Sequence, residues 1–91
     1  MRHAQLSLYD NGIGPEGAAA ISEALKVNGS LTSLDVSENT IKNEGAVAIG
    51  EALKINGSLT SLDVRFNSLD EAMKQLLRDS VKDRNGFALQ L

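Results

Sequence analysis

Cysteine is absent from the 91 residues, which excludes disulfide staples and thiolate metal sites and favours a reducing compartment. Histidine occurs once, as His3, so no His/Cys set for a transition metal can be assembled. The chain also lacks a Lys/Arg-rich stripe. Its 9 basic and 12 acidic residues are interspersed and leave a net charge of −3, so nothing is arranged to neutralise a phosphate backbone, and no nucleic acid is expected as partner. No apolar run approaches the roughly 20 residues a membrane helix needs, and Met1-Arg2-His3-Ala4-Gln5 leads into a patterned segment without an apolar signal core. The expectation is a cytoplasmic protein with no membrane partner. Serines are numerous, but no base and orienting group accompany them. No cofactor and no enzymatic activity are expected.

What the sequence has is repetition. Asn11, Asn39 and Asn67 fall 28 residues apart. Leu6-x-Leu8-x-x-Asn11-x-Ile13 becomes Leu34-x-Val36-x-x-Asn39-x-Ile41 and then Leu62-x-Val64-x-x-Asn67-x-Leu69. Leu31 to Val36 recurs unchanged as Leu59 to Val64, Glu16-Gly17-Ala18 as Glu44-Gly45-Ala46, and Glu23-Ala24-Leu25-Lys26 as Glu51-Ala52-Leu53-Lys54.

Each unit reads as a strand followed by a helix. Leu-x-Leu has period 2 and puts its apolar side chains on one face of a short strand. After the asparagine the period changes. Ala18, Ile21 and Leu25, with their equivalents Ala46, Ile49 and Leu53, have the spacing of a buried helical stripe. Pro15 suits the first helical turn, and Glu16 and Glu44 suit the positive helix start. Asn28-Gly29 and Asn56-Gly57 are expected to end the helices through a left-handed conformation; as Asn-Gly-Ser they also match a glycosylation sequon, but turn chemistry explains them better.

Such a unit cannot bury its apolar face alone, so like units must stack. The expected fold is α/β: a right-handed β-α superhelix, with a parallel sheet on the concave side and helices on the convex side. One domain over 1–91 is expected, with repeats at about 3–30, 31–58 and 59–86 and an edge strand at about 87–91. A chain of this length buries only about 60–65% of its unfolded surface, so these contacts must be well satisfied.

The motif Leu31-x-x-Leu34-x-Val36-x-x-Asn39-x-Ile41, followed by Glu44 to Leu53, resembles the ribonuclease-inhibitor-like class of leucine-rich repeats, over nearly the whole chain and as the C-terminal portion of a longer array. That class includes ribonuclease inhibitors, sensor arms of NLR immune receptors, tropomodulin-like actin cappers and Ran GTPase-activating proteins. The resemblance implies a protein partner bound on a curved repeat surface. It also implies that Asn11, Asn39 and Asn67 are structural, buried and bonded to backbone of neighbouring turns. Physical reasoning agrees, because an unbonded buried amide costs about 1–3 kcal/mol.

If Leu34 and Val36 point inward, alternation sends Ser33, Asp35 and Ser37 to the concave face. Its rows are then Gln5, Ser33, Ser61; Ser7, Asp35, Asp63; and Tyr9, Ser37, Arg65, with Asp10, Glu38 and Phe66 at the strand ends. The expected partner contacts are Tyr9, Asp35, Ser37, Asp63, Arg65 and Phe66, with Tyr9, Arg65 and Phe66 as anchors because aromatics and Arg dominate binding hot spots. Asp35 and Asp63 would lie about 4.8 Å apart on adjacent strands, a separation suited to glycoside hydrolysis, but as repeat equivalents on an open surface they lack the enclosure catalysis needs. Arg65 also invites comparison with a GTPase-stimulating arginine, on fold analogy alone.

The two ends differ. Met73-Lys74 stands where Gly17-Ala18 and Gly45-Ala46 stand earlier, and Glu71, Lys74, Arg78, Lys82 and Arg84 are expected to form a solvated outer face while Leu77 and Val81 continue the core. Phe87 to Leu91 is expected to be an edge strand one residue out of register. At the other end, Leu6-Ser7-Leu8 begins a strand with nothing before it to cover it, which invites self-association.

Overall fold

The computed structural model describes residues 4–91; His3, expected in the Leu31 and Leu59 column, lies outside them. Strands and helices alternate as β1 (Ala4–Ser7), α1 (Gly14–Val27), β2 (Leu31–Asp35), α2 (Lys42–Ile55), β3 (Ser61–Asp63), α3 (Glu71–Ser80) and β4 (Ala88–Gln90). The four strands form one parallel sheet in chain order. The pairs Gln5 with Ser33 and Ser33 with Ser61, and Ser7 with Asp35 and Asp35 with Asp63, reproduce two of the expected rows. β4 pairs as Ser61 with Ala88, Leu62 with Leu89 and Asp63 with Gln90, the one-residue slip read from its sequence.

Between sheet and helices lies one column per repeat position. Leu34 and Leu62 from the strands, Ala18 and Ala46, Ile49 and Leu77, and Leu25, Leu53 and Val81 from the helices are all buried. At the first unit the column is open. Ile21 is only half-buried and Leu6 is 43% exposed, because no described repeat lies against them. α1 and α2 run close together because Gly45 permits it: a Cβ there would stand 2.9 Å from the Ala18 Cβ and 2.8 Å from the Ile41 Cβ. α3 has Met73 at this place, is 10 residues long rather than 14, and begins one residue later, with Asp70 accepting from the Met73 N–H as N-cap.

The turns depart from the sequence reading in one respect. Asn28 and Asn56 end their helices in extended conformation, at φ −84° and −73°, not left-handed. Apart from Gly86 in the last helix-to-strand turn, the left-handed residues sit in the other turn, between strand and helix: Asp10, Gly12 and Gly14; Glu38, Thr40 and Lys42; Phe66 and Ser68. Every other residue around each repeat asparagine is therefore inverted. Gly12 and Gly14 adopt this shape without strain, whereas Thr40 and Lys42 hold it because the surrounding hydrogen bonds require it.

Candidate functional site

Two ladders of polar side chains hold the repeats in register and fix what the sheet displays. In the first, Asn39 is 1% exposed and all its amide positions are bonded. Its Oδ1 accepts from the backbone N–H of Asn11 at 2.7 Å and of Ile13 at 3.3 Å, and its Nδ2 donates to the carbonyls of Leu8, Val36 and Ser37. Asn67 repeats the arrangement one unit on. It accepts from Asn39 and Ile41 N–H and donates to the carbonyls of Val36, Val64 and Arg65. Asn11 departs from expectation. Its side chain is exposed and donates only to the Tyr9 carbonyl at 3.3 Å, because no described repeat precedes it to bond. Only its backbone takes part in the ladder.

The second ladder lies at the helix-to-strand turns. Asn28 Oδ1 accepts from the N–H groups of Ser30 and Leu31, and Asn56 Oδ1 from those of Ser58 and Leu59. Asn56 Nδ2 also reaches back to the carbonyls of Leu25 at 2.8 Å and Asn28 at 2.9 Å. One repeat later the position is Arg84. It is not part of a solvated face: its guanidinium donates to the carbonyl of Leu53 at 3.1 Å and to that of Leu59, and stacks 4.9 Å from the Phe87 ring centroid. The spacing of residues 28, 56 and 84 was available in the sequence, but the change from Asn to Arg hid the shared role.

On the sheet's open face, Asp35 and Asp63 are register partners. Each carboxylate is committed to the residue two positions on. Asp35 Oδ1 accepts from the Ser37 N–H at 2.9 Å and the Ser37 hydroxyl at 2.6 Å. Asp63 accepts from the Arg65 N–H, Nε and Nη2, the last two at 3.0 and 2.8 Å. This bidentate pair holds the Asp63 carboxyl below the usual carboxylate range, and the same partner raises Arg65. A lowered Asp63 pKa is the opposite of the raised-pKa acid that glycoside hydrolysis requires.

The expected contact residues therefore divide. Tyr9 is 52% and Phe66 75% exposed, and Arg65, next to Phe66 in the chain, is exposed too. Asp35 and Asp63 are half-buried. Ser37 is corrected: it is buried, 5% exposed, with its hydroxyl turned onto Asp35, so it orients that carboxylate and offers no contact surface. Sequence alternation misplaced it because the strand has ended at Asp35 and the chain is already turning. The Glu38 carboxylate beside Tyr9, as hydrogen-bond acceptor and as negative charge, raises the pKa of its hydroxyl. The face thus carries two large exposed rings, one oriented guanidinium and oriented carboxylates. Among the described residues no helix is long and apolar enough to cross a membrane, and no group of acidic or histidine side chains is placed to hold a metal.

A family model described as Leucine Rich repeat matches residues 5–22 and 27–50, covering most of the first unit and the second through much of α2. Together with the parallel sheet alternating with helices, this gives the fold as a leucine-rich repeat solenoid. Repeats of this family are generally protein-interaction modules. No curated protein matches the chain significantly.

Proposed function

We propose that this leucine-rich repeat solenoid binds a protein partner on the open face of its sheet, with Tyr9, Arg65 and Phe66 as anchors and Asp35 and Asp63 as oriented acceptors. The observation that carries the reading is the side-chain order of that face. Arg65 and both carboxylates are held by local bonds, so little rotamer freedom remains to be lost on binding. Tyr9 and Phe66 leave large apolar area in water with no internal role that explains it. The GTPase-stimulating alternative has less support, because the Arg65 guanidinium is already bidentate to Asp63. We place the protein in the cytoplasm on its lack of cysteine, and Asn56, buried with its amide nitrogen donating to two carbonyls, is a poor glycan acceptor. The ribonuclease-inhibitor-like subtype rests on the 28-residue period.

The test is affinity capture from cytosol with the wild-type protein and with a Tyr9→Ala/Phe66→Ala variant shown by circular dichroism to keep its fold. The expected result is a protein held by the wild type and lost at least about tenfold by the variant, the scale of hot-spot truncation. Equal capture by both would overturn the assignment of the face.

A second reading has its own support. At the first unit a cleft of about 180 Å³ opens between Leu6, Ile21, Ala24, Leu25, Asn28, Leu31 and Leu34, exposing the end of the core. This end suits a preceding repeat of a longer array or self-association. Light scattering at micromolar concentration distinguishes them: a well-folded strict monomer rules out self-association.

A further inference from the structure

The structure assigns a chemical modification site to the turn before β4: Asn85-Gly86, where the chain deamidates and so releases β4 from the sheet. An asparagine followed by glycine is open to attack by the next backbone nitrogen, because no Cβ shields that nitrogen. The Gly86 nitrogen bonds to Asn85 Cγ as the Cγ–Nδ2 bond breaks, and ammonia leaves, taking up the Gly86 N–H proton. Water then opens the succinimide at either carbonyl. One opening leaves an aspartyl side chain. The other leaves an isoaspartyl link, with one extra carbon in the main chain.

The sequence holds four such pairs, Asn11-Gly12, Asn28-Gly29, Asn56-Gly57 and Asn85-Gly86, and the fold treats them differently. Cyclisation needs the asparagine side chain free to swing and its backbone free to rotate toward it. Asn56 is buried with both ends of its amide bonded. Asn28 has its Oδ1 held by the N–H groups of Ser30 and Leu31, and its carbonyl by Asn56 Nδ2. Around Asn11 the N–H groups of Asp10, Asn11, Ile13 and Gly14 are all bonded to the second unit. Asn85 has no such restraint. It is exposed, and neither its side chain nor the Gly86 N–H has a hydrogen-bond partner among the described residues. This openness belongs to the turn itself: the equivalent Gly57 lies between two stacked units and is likewise exposed, with open space around it. One bond spans the turn, from the Phe87 N–H to the Arg84 carbonyl at 3.1 Å, with Gly86 left-handed at φ 79°.

The product acts on β4 because this turn places it. On one side Arg84 donates to the Leu53 and Leu59 carbonyls and stacks on Phe87. On the other, β4 pairs with its neighbour through the Ala88 N–H to the Thr60 carbonyl and the Val64 N–H to the Gln90 carbonyl. A main chain lengthened by one carbon between Arg84 and Phe87 cannot satisfy both sides. Arg84 is tied to two carbonyls of neighbouring units, whereas β4 is three residues long and mostly exposed, so β4 yields.

The test incubates the folded chain and the same chain in urea side by side in mildly alkaline buffer and follows both by tryptic peptide mapping, in which the four Asn-Gly pairs fall on separate peptides. In urea all four pairs should convert at similar rates. In the folded chain Asn85 should keep its rate to within about threefold, while the other three slow at least about tenfold, since each must first open locally. The isoaspartyl form of the aged wild type should show faster hydrogen exchange at the Val64 and Ala88 amides. Asn85→Gln, whose longer side chain closes the ring poorly, should keep those amides protected through the same incubation. The assignment is overturned if Asn85 in the folded chain is slowed as much as the other three, or if the isoaspartyl form protects Val64 and Ala88 as well as Asn85→Gln does.

Discussion

Asn39 donates its backbone N–H to Asn67 Oδ1 at 2.8 Å, while its own Oδ1 receives the backbone N–H of Asn11 at 2.7 Å. One residue therefore joins three units. Its side chain makes five bonds, against one for Asn11. Removing its side chain strands the N–H groups of Asn11 and Ile13 and the carbonyl of Leu8, so Asn39→Ala should cost about 3 kcal/mol or more in urea unfolding, and Asn11→Ala under about 1 kcal/mol. Equal costs would mean that the ladder does not carry the stability assigned to it.

Helix spacing rests on Gly45. Gly45→Ala places a Cβ within 2.9 Å of the Ala18 Cβ, a backbone-anchored atom that cannot step aside. Overpacking of this kind costs about 1–3 kcal/mol, and the better helix propensity of Ala returns a little under about 1 kcal/mol. The net expectation is a lowered denaturation midpoint. Gly57→Ala, with open space around it, should leave the midpoint within error, as is usual at unencumbered surface sites.

Arg84 closes the second ladder. Arg84→Met keeps much of the packing against Phe87 but leaves the Leu53 and Leu59 carbonyls without their donor. A loss of about 1–3 kcal/mol is expected, together with faster hydrogen exchange at the end of α2 and in β4. Arg84→Lys should recover only part of it, since one ammonium cannot reproduce the planar fork.

Acid should weaken the fold in a defined window. Asp63, bonded to Arg65, and Asp70, bonded to the Met73 N–H, are both held below the ordinary value of 3.8. A carboxyl with a depressed folded-state pKa stabilises the fold above its unfolded value and loses that contribution as pH falls through its folded value. Thermal midpoints should therefore be level through neutral pH and fall below about pH 4. Asp70→Asn should make that fall shallower; an unchanged acid limb would show that the cap plays no part in it.

Much of this was readable from the chain because a 28-residue period ties local and global order together. The Leu34 and Leu62 columns and two of the strand rows follow from it, and the slip of β4 is legible as a departure from it. The burial of Ser37 was not readable, since alternation holds only while a strand lasts and β2 stops two residues earlier. The left-handed Thr40 and Lys42 run against propensity; tertiary hydrogen bonds, not side-chain preference, set their backbone. Arg84 was misread because a charged side chain suggests solvent, whereas its donors are geared to carbonyls at the ends of turns.

In each strand-to-helix turn the backbone donors point the same way along the solenoid, from Asp10 toward Ser37 and from Glu38 toward Arg65. The stack is consequently a vector. A unit cannot be reversed, and its two faces are not interchangeable, so a further repeat can continue the stack only head to tail. Growth or loss is quantised as well: excising 31–58 would bring chemically equivalent seams together, whereas deleting a single residue from a turn would put both ladders out of phase from there onward.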